Sequence, residues 1–556
     1  MRELIKNGSS LLFRRQTNIL SAAFVIMATY AAAHLIGLLK TRLLISVFFG
    51  DKANLLDVYY AAFVIPDTLF QLLVIGSLSA AFIPVFSRLL TKKEDEAWYV
   101  AGVSLNLVLV SFTILSILIF IFAPWLSRLI APGFDSHQIS TMTSLLRVML
   151  TAQIFFCISG FLTGIIQSHQ RFLIPALAPI VYNLGIILGT IFLTPFFGIF
   201  GPAIGVVIGA ALHMSIQLPL AFRLGFRFIP AFSFTHAGIR EIVHLMPPRA
   251  LALGIDQIEQ FIAVILSSLL PSGSLTMFNV ARLLYALPMS LFGVTIGQAA
   301  LPALSRLSGE ADRKTFRRTL LDSLLQITFF TLPTSVLFIV LRVPIVRIVF
   351  GAKSFPWSAT ILTGKILAIL CISATFASLM QLLIRAFYAL HDTKTPLLIG
   401  IFSAIFDVIL GIFLVKFLNL GSVGLALAIS LTAIIETILL FSIIFPKIRS
   451  DNWTTARFII SFLKITITGL ITGLSLWVPM RLLDKFVFDT TRTLPLVALT
   501  AITSLIGFSV YLLLSYFFRV EQLKTFILLV KRMSDIKQTL LPQSKEALMV
   551  SASDQN

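Results

Sequence analysis

The sequence predicts an all-α polytopic membrane protein of about 14 transmembrane helices: two parallel-repeat six-helix lobes followed by two C-terminal helices. Three observations predict it. Apolar stretches long enough to cross a bilayer core, about 20 residues each, recur along the whole chain. Basic residues gather in alternate loops. And the second part of the chain repeats motifs of the first in order.

Composition sets the frame. Of 556 residues, 58% are hydrophobic and 12% charged, and the mean hydropathy is +0.98. A water-soluble surface needs more charge than this. The net charge of +19 would suit a nucleic-acid partner, but the cations sit in alternate loops, so no nucleic-acid partner is expected. The two cysteines, Cys157 and Cys371, lie in apolar runs, which argues against a disulfide framework or a cysteine metal site. Arg14 and Arg15 precede the first apolar run. That run is too long for a signal-peptide core, so no cleavable leader is expected.

The spans read, in order, 19–49, 58–90, 97–131, 139–169, 171–196, 200–224, 237–268, 274–307, 315–349, 357–390, 394–418, 421–446, 455–483 and 490–519. Residues 1–18 form an N-terminal segment, 19–230 the first lobe, 231–450 the second, 451–519 the last two spans and 520–556 a basic tail. One set of loops carries Arg88, Lys92, Lys93, Arg171, Arg223, Arg227, Arg240, Arg313, Lys314, Arg317, Arg318, Lys394, Lys447 and Arg449. The opposite set offers only Lys52, Lys353, Lys485 and Arg492. The asymmetry predicts both termini on the cytoplasmic side of a bacterial inner membrane.

The duplication is read from six ordered pairs. Pro66 matches Pro288, Gly76 matches Gly297, and "IPVFSRL" at 83–89 matches "LPALSRL" at 301–307. Gly133 matches Gly351, Pro175 matches Pro396, and the stretch from Gly201 matches that from Gly421. The offset stays near about 220 residues throughout. Corresponding positions lie six spans apart, so the copies share one orientation, and such transporters work by rocking one lobe against the other. Pro66, Gly76, Pro84, Pro288, Gly293, Gly297 and Pro302 interrupt the spans. Pro66, Gly76, Pro288 and Gly297 are candidate hinges, with close helix packing at small residues as the alternative.

Ionisable residues inside spans are costly and mark candidate sites. The cationic candidates are His34, Lys40 and Arg42 in span 1 and Arg282 in span 8; Arg147 and Arg385 read as structural. The acidic candidates are Asp256 and Glu259 in span 7, Asp407 in span 11 and Glu436 in span 12. Ser403 and Asp407 share a helical face at i and i+4, and Thr432 and Glu436 repeat that spacing. Such oxygens suit Na+ or a proton as coupling ion; the alternative is ion pairing that holds the bundle together. No other metal and no cofactor is expected. The loops are too short for a catalytic domain and no GxxxxGK[ST] occurs, so no catalytic residue is assigned and an enzyme is not expected.

Several motifs resemble one family. "VYYAAFVIPDTLFQLLVIGSLSAAFIPVFSRLL" at 58–90 is similar to the second helix of the MurJ (MviN) family, lipid II flippases of the multidrug/oligosaccharidyl-lipid/polysaccharide exporter superfamily. "APGF" at 131–134, "SHQRFLIPALAPIVYN" at 168–183, "PSGSLTMFNVARLLYALPMSLFGVTIGQAALPALS" at 271–305 and "FYALHDTKTP" at 387–396 resemble it as well. The resemblance implies a flippase moving an undecaprenyl-pyrophosphate-linked peptidoglycan precursor between leaflets, with a polyprenyl-pyrophosphate glycolipid and membrane lipids as partners and cell-wall synthesis proteins as further candidates. It also implies a cation among spans 7, 11 and 12. His34, Lys40, Arg42, Asp57 and Arg282 are the expected substrate-binding set. The sequence departs from the family pattern at His34, where arginine is typical, and at Phe70, Gln71 and Ile75, where two arginines and an acid stand. Ungapped alignment puts Leu283 at the family's arginine position, one residue after Arg282. A related exporter of another lipid-linked oligosaccharide or amphiphile, or a non-transporting cell-wall scaffold, is the alternative.

Overall fold

The computed structural model describes residues 19–50, 52–75, 81–309, 313–352, 354–448, 452–490 and 492–528. Among these every regular element is helical. In a bilayer each backbone group must be satisfied within its own segment, and a helix does that. Among the described residues thirteen segments are long and apolar enough to cross a membrane. The seventh expected span is one helix, Ala237–Ser268, of 32 residues; its apolar run is broken by Arg240, Glu241, His244, Asp256 and Glu259.

Helix ends follow local chemistry. Asp135 starts the Ser136–Ser168 helix with a reciprocal capping box: its carboxylate accepts from the Gln138 amide at 2.8 Å, and the Gln138 side chain accepts from the Asp135 amide at 2.8 Å. The turn after span 10 is closed by Asp392, which accepts from Thr395 N (3.0 Å), Thr395 Oγ1 (2.8 Å) and Lys447 Nζ. Partial burial pushes this carboxyl up, but those donors outweigh it and hold its pKa at about 2.

The duplication is visible in the irregularities of the backbone. Span 2 passes from Ala53–Phe70 into a π turn at Gln71–Ile75, and span 8 passes from Ser274–Pro288 into one at Met289–Val294. Span 5 carries a π turn at Gly189–Leu193, and its counterpart, span 11, carries one at Phe413–Phe417. Four such defects at matched places in the two copies extend the sequence repeat to geometry.

The chain divides into two compact units: Met1–Leu284 with Ile345–Leu370 and Leu397–Thr432, and Tyr285–Pro344 with Cys371–Pro396 and Ala433–Asn556. In the first, spans 5 and 6 meet backbone to backbone. A Cβ on Gly185 or Gly189 would fall within 2.4 or 2.5 Å of Gly209 or Gly205, the close approach that drives helix association in lipid. In the second, span 13 (Asn452–Phe486) lies on span 9 through Gly469 and Gly473, against Leu332 and Val336. Tyr511 of span 14 donates to the Phe329 carbonyl at 2.8 Å. The free cysteines Cys157 and Cys371 are both buried.

Candidate functional site

The expected cations of span 1 meet different fates. Arg42 donates to the carbonyls of Ile348 (2.7 Å), Val349 (3.4 Å) and Gly351 (3.2 Å). These close the helix Arg342–Phe350, whose last carbonyls have no intrahelical donor, so the guanidinium acts as its cap. His34 and Lys40 are half-buried, and neither pairs with a carboxylate among the described residues.

Asp57 is buried, at 3% exposure. It accepts from Gly273 N (2.6 Å), Thr276 N (2.8 Å) and Thr276 Oγ1 (2.6 Å). Those amides open the Ser274–Pro288 helix, where orphan N–H groups and the macrodipole favour an anion. Gly273 has φ +89°, a left-handed backbone that permits the turn. Asp57 thus caps span 8 from span 2.

Arg282 pairs with Glu259 of span 7 at 3.1 Å, both side chains about one-third exposed, and its guanidinium lies over the Phe278 ring at 5.8 Å. Asp407 lies within electrostatic reach of both Glu259 and Arg282. Asp407 and Ser403 are buried, Thr432 donates to Asp407 Oδ1 at 3.4 Å, and the Ser403 hydroxyl is buried without a hydrogen-bond partner. Ser403 stands one helical turn before Asp407, so an orphaned hydroxyl, a carboxylate and a second hydroxyl form an all-oxygen set of the type that could hold a hard cation. Among the described residues no three His, Cys, Asp or Glu converge as a metal cluster. The side chain of Asp256 lies outside the described residues. Glu436, half-buried one turn past Thr432, belongs to the second unit.

The remaining candidates read structurally. Arg147 donates to the Phe120 carbonyl at 3.2 Å and stacks on that ring at 4.7 Å. Arg385 donates to Val294 and Gln381 carbonyls at 3.3 Å. Pro66 and Pro288 each precede a π turn. At Gly297 a Cβ would be 2.2 Å from Arg385 Nη1, and at Gly293 2.8 Å from Ser378, so these two glycines admit close packing against span 10. Gly76 lies outside the described residues.

A further polar set, not among the sequence-predicted candidates, centres on the first lobe. Asp67, next to Pro66, lies four residues before Gln71 and within electrostatic reach of Tyr182. Thr68 donates to Gln257 Oε1 of span 7 at 3.2 Å. Deeper, Ser159 Oγ lies 2.6 Å from His213 Nδ1 and accepts from Gln217 Nε2 at 2.6 Å, while Thr163 donates to Gln217 Oε1 at 2.8 Å. An acid and a histidine inside spans were the signal.

Known proteins agree on what this arrangement is. Residues 45–496 match the family model described as lipid II flippase MurJ. The probable lipid II flippase MurJ of Bdellovibrio bacteriovorus is 27% identical over 517 residues, 91% of this chain and 96% of that one. The lipid II flippase MurJ of Burkholderia cenocepacia is 25% identical over 434 residues, 76% of this chain and 83% of that one. A solved lipid II flippase MurJ in an inward closed conformation superposes with TM-score 0.73 at 26% identity, over 89% of this chain and 99% of that one. An inward-facing multidrug resistance MATE family transporter of the MOP superfamily shares the fold at 16% identity, with TM-score 0.63 over 78% of this chain and 98% of that one. The chain is a multi-pass inner-membrane protein, and it belongs to the MurJ lipid II flippase family.

Proposed function

We propose that this protein translocates lipid II, the undecaprenyl-pyrophosphate-linked peptidoglycan precursor, from the inner to the outer leaflet by alternating access between its two lobes, with both termini cytoplasmic. The observation that carries the reading is the match of residues 45–496 to the flippase family. Lys40 supports it. A half-buried ammonium in a span, with no carboxylate partner among the described residues, is costly unless an anion visits it. A pyrophosphate is such an anion, and Arg282 is the second cation available to it. No covalent step is required: the protein moves the headgroup across and the substrate leaves unchanged.

Asp407, Ser403 and Thr432 supply the coupling in this proposal, holding Na+ or a proton while the lobes exchange access. Asp256 and Glu436 are the further candidates for that site. The π turns after Pro66 and Pro288 provide the bending points, because a π turn already lacks the regular i to i−4 ladder. Cell-wall synthesis proteins are the further partners we propose. A second reading, export of another lipid-linked oligosaccharide or amphiphile, is favoured by Phe70, Gln71, Ile75 and Leu283 standing where the family has charged residues. The test is genetic. Expression in bacteria depleted of their own flippase should restore growth; a well-expressed protein that restores nothing, after a host mismatch is excluded, points to the other substrate.

A further inference from the structure

The connection between spans 6 and 7 has a composition unlike any other in the chain. From Phe222 to Arg240 it holds Phe222, Phe226, Phe228, Phe232 and Phe234 with Arg223, Arg227, His236 and Arg240, and no acid. It has neither helix nor strand from Phe226 to Ser233, and a tight turn around Pro230 is closed by Ala231 N donating to Ile229 O at 2.9 Å. Two carbonyls fasten it to span 3. Asn106, buried, donates from Nδ2 to Ile229 O at 2.7 Å and to Ala231 O at 3.0 Å. Gly102 admits Ile229 so closely that a Cβ there would lie 2.8 Å from the Ile229 Cβ, and Gly225, at φ +98°, passes under the Trp98 indole.

That fastening sets the register. Exposure alternates along the strap from Phe228 to Phe234. Ile229, Ala231 and Ser233 are half-buried, while Phe228, Pro230, Phe232 and Phe234 are exposed, the three phenylalanines at 58%, 60% and 67%. The bulky apolar side chains therefore face away from the protein in one row. At the end of the strap an open cleft of about 330 Å³ is lined by Phe234, Arg240, Val243 and His244. Arg240 and His244 are one helical turn apart on the same face. Neither they nor Arg227 pairs with a carboxylate among the described residues, and the neighbouring acids are already engaged: Glu241 with Arg88, Glu96 with Lys93 and His236.

Depth follows from the backbone. A lipid-facing segment without helical backbone bonding is excluded from the hydrocarbon core. A phenylalanine row flanked by arginines is equally misplaced in open water, since each ring gains by leaving it. The headgroup region meets both demands: rings reach the acyl chains while guanidinium groups meet phosphates. We propose that residues 222–244 form an interfacial membrane anchor, in which Phe228, Phe232 and Phe234 enter the inner-leaflet acyl region and Arg227, Arg240 and His244 bind anionic phospholipid headgroups. It keeps the inter-lobe connection at a fixed depth beside span 3.

The test places a nitrobenzoxadiazole label on F232C of the full chain, and on F228C in a second preparation, the native cysteines being buried. Each is reconstituted in phosphatidylcholine vesicles with and without phosphatidylglycerol. With phosphatidylglycerol the label should be shielded from iodide and quenched by lipids carrying a nitroxide near the headgroup. Iodide access would overturn the anchor, and so would shielding without nitroxide quenching, which would mean that protein covers the row. Removing both charges in R227Q/R240Q should lower the preference for retained phosphatidylglycerol over phosphatidylcholine by roughly fivefold per arginine. An unchanged preference would overturn the assignment to anionic lipid.

Discussion

The cationic residues and the acidic residues of the candidate site differ in how far the fold has already committed them. Arg42 is spent on three carbonyls and Asp57 on three donors at a helix start. Arg282 is held by Glu259. Lys40 and His34 alone in that set have no such partner among the described residues. The oxygen set around Asp407 is under-satisfied instead: the Ser403 hydroxyl is orphaned, and Thr432 reaches the carboxylate only at 3.4 Å. A charge that already has good partners gains little from a ligand, whereas a desolvated group without one gains a full charge-assisted hydrogen bond. The difference gives Arg42 and Asp57 an architectural role and leaves Lys40 and the Asp407 pocket as the groups we propose for binding, with Arg282 between them.

The largest effect should separate the two cations of span 1. Lys40→Gln should weaken undecaprenyl pyrophosphate binding to the detergent-solubilised protein by roughly 10- to 100-fold, the loss of one charge-assisted contact, with little change in thermal stability. Arg42→Gln should do the reverse, lowering stability while leaving most of the binding. Equal losses of binding would erase the distinction.

Asp57→Ala removes a cap and leaves buried amides unpaired, so a loss of about 2 kcal/mol is expected. Chemical denaturation in detergent measures it, and Asp57→Asn, which keeps an acceptor oxygen, should lose less. A neutral Asp57→Ala would contradict the capping role. For the acidic pocket, Asp407→Asn should abolish any Na+ or pH dependence of transport, and unchanged dependence would remove the coupling proposal.

The smallest effect lies at a partly solvated pair, Asp392 and Lys447. The Asp392 pKa is held at about 2, below its ordinary 3.8. A carboxyl whose pKa is depressed by folding contributes stability above its unfolded pKa and loses it as pH falls through the folded one. Stability should therefore decline between about pH 4 and pH 2 by less than about 1 kcal/mol, because Lys447 is largely solvated. Lys447→Met should flatten that decline in melting curves; an unaltered slope would assign it to other carboxyls.

The fold was legible in the sequence because bilayer spans and a duplicated motif are local or periodic signals. Span 7 stretches from 237 to 268 in both readings, and the aligned Pro66 and Pro288 anticipated the matched π turns. Residue types at the site were legible too. Their partners were not. Arg42 finds carbonyls about 300 residues away, and Asp57 finds amides of span 8. Such pairings are fixed by tertiary approach and leave no trace in spacing. Asp67 was visible as an acid inside a span, but its partners come from elsewhere in the fold. Whether a span charge is a ligand or a brace depends on what faces it.

The most direct test of the account is lipid II exposure in bacteria depleted of their own flippase and expressing this protein. A probe enzyme added outside cleaves only precursor that has reached the outer leaflet. The wild type should restore cleavage, and Lys40→Gln, expressed equally, should not. Restored cleavage by both would contradict the cationic site, and absence of cleavage with a well-expressed wild type in a matched host would contradict lipid II transport itself.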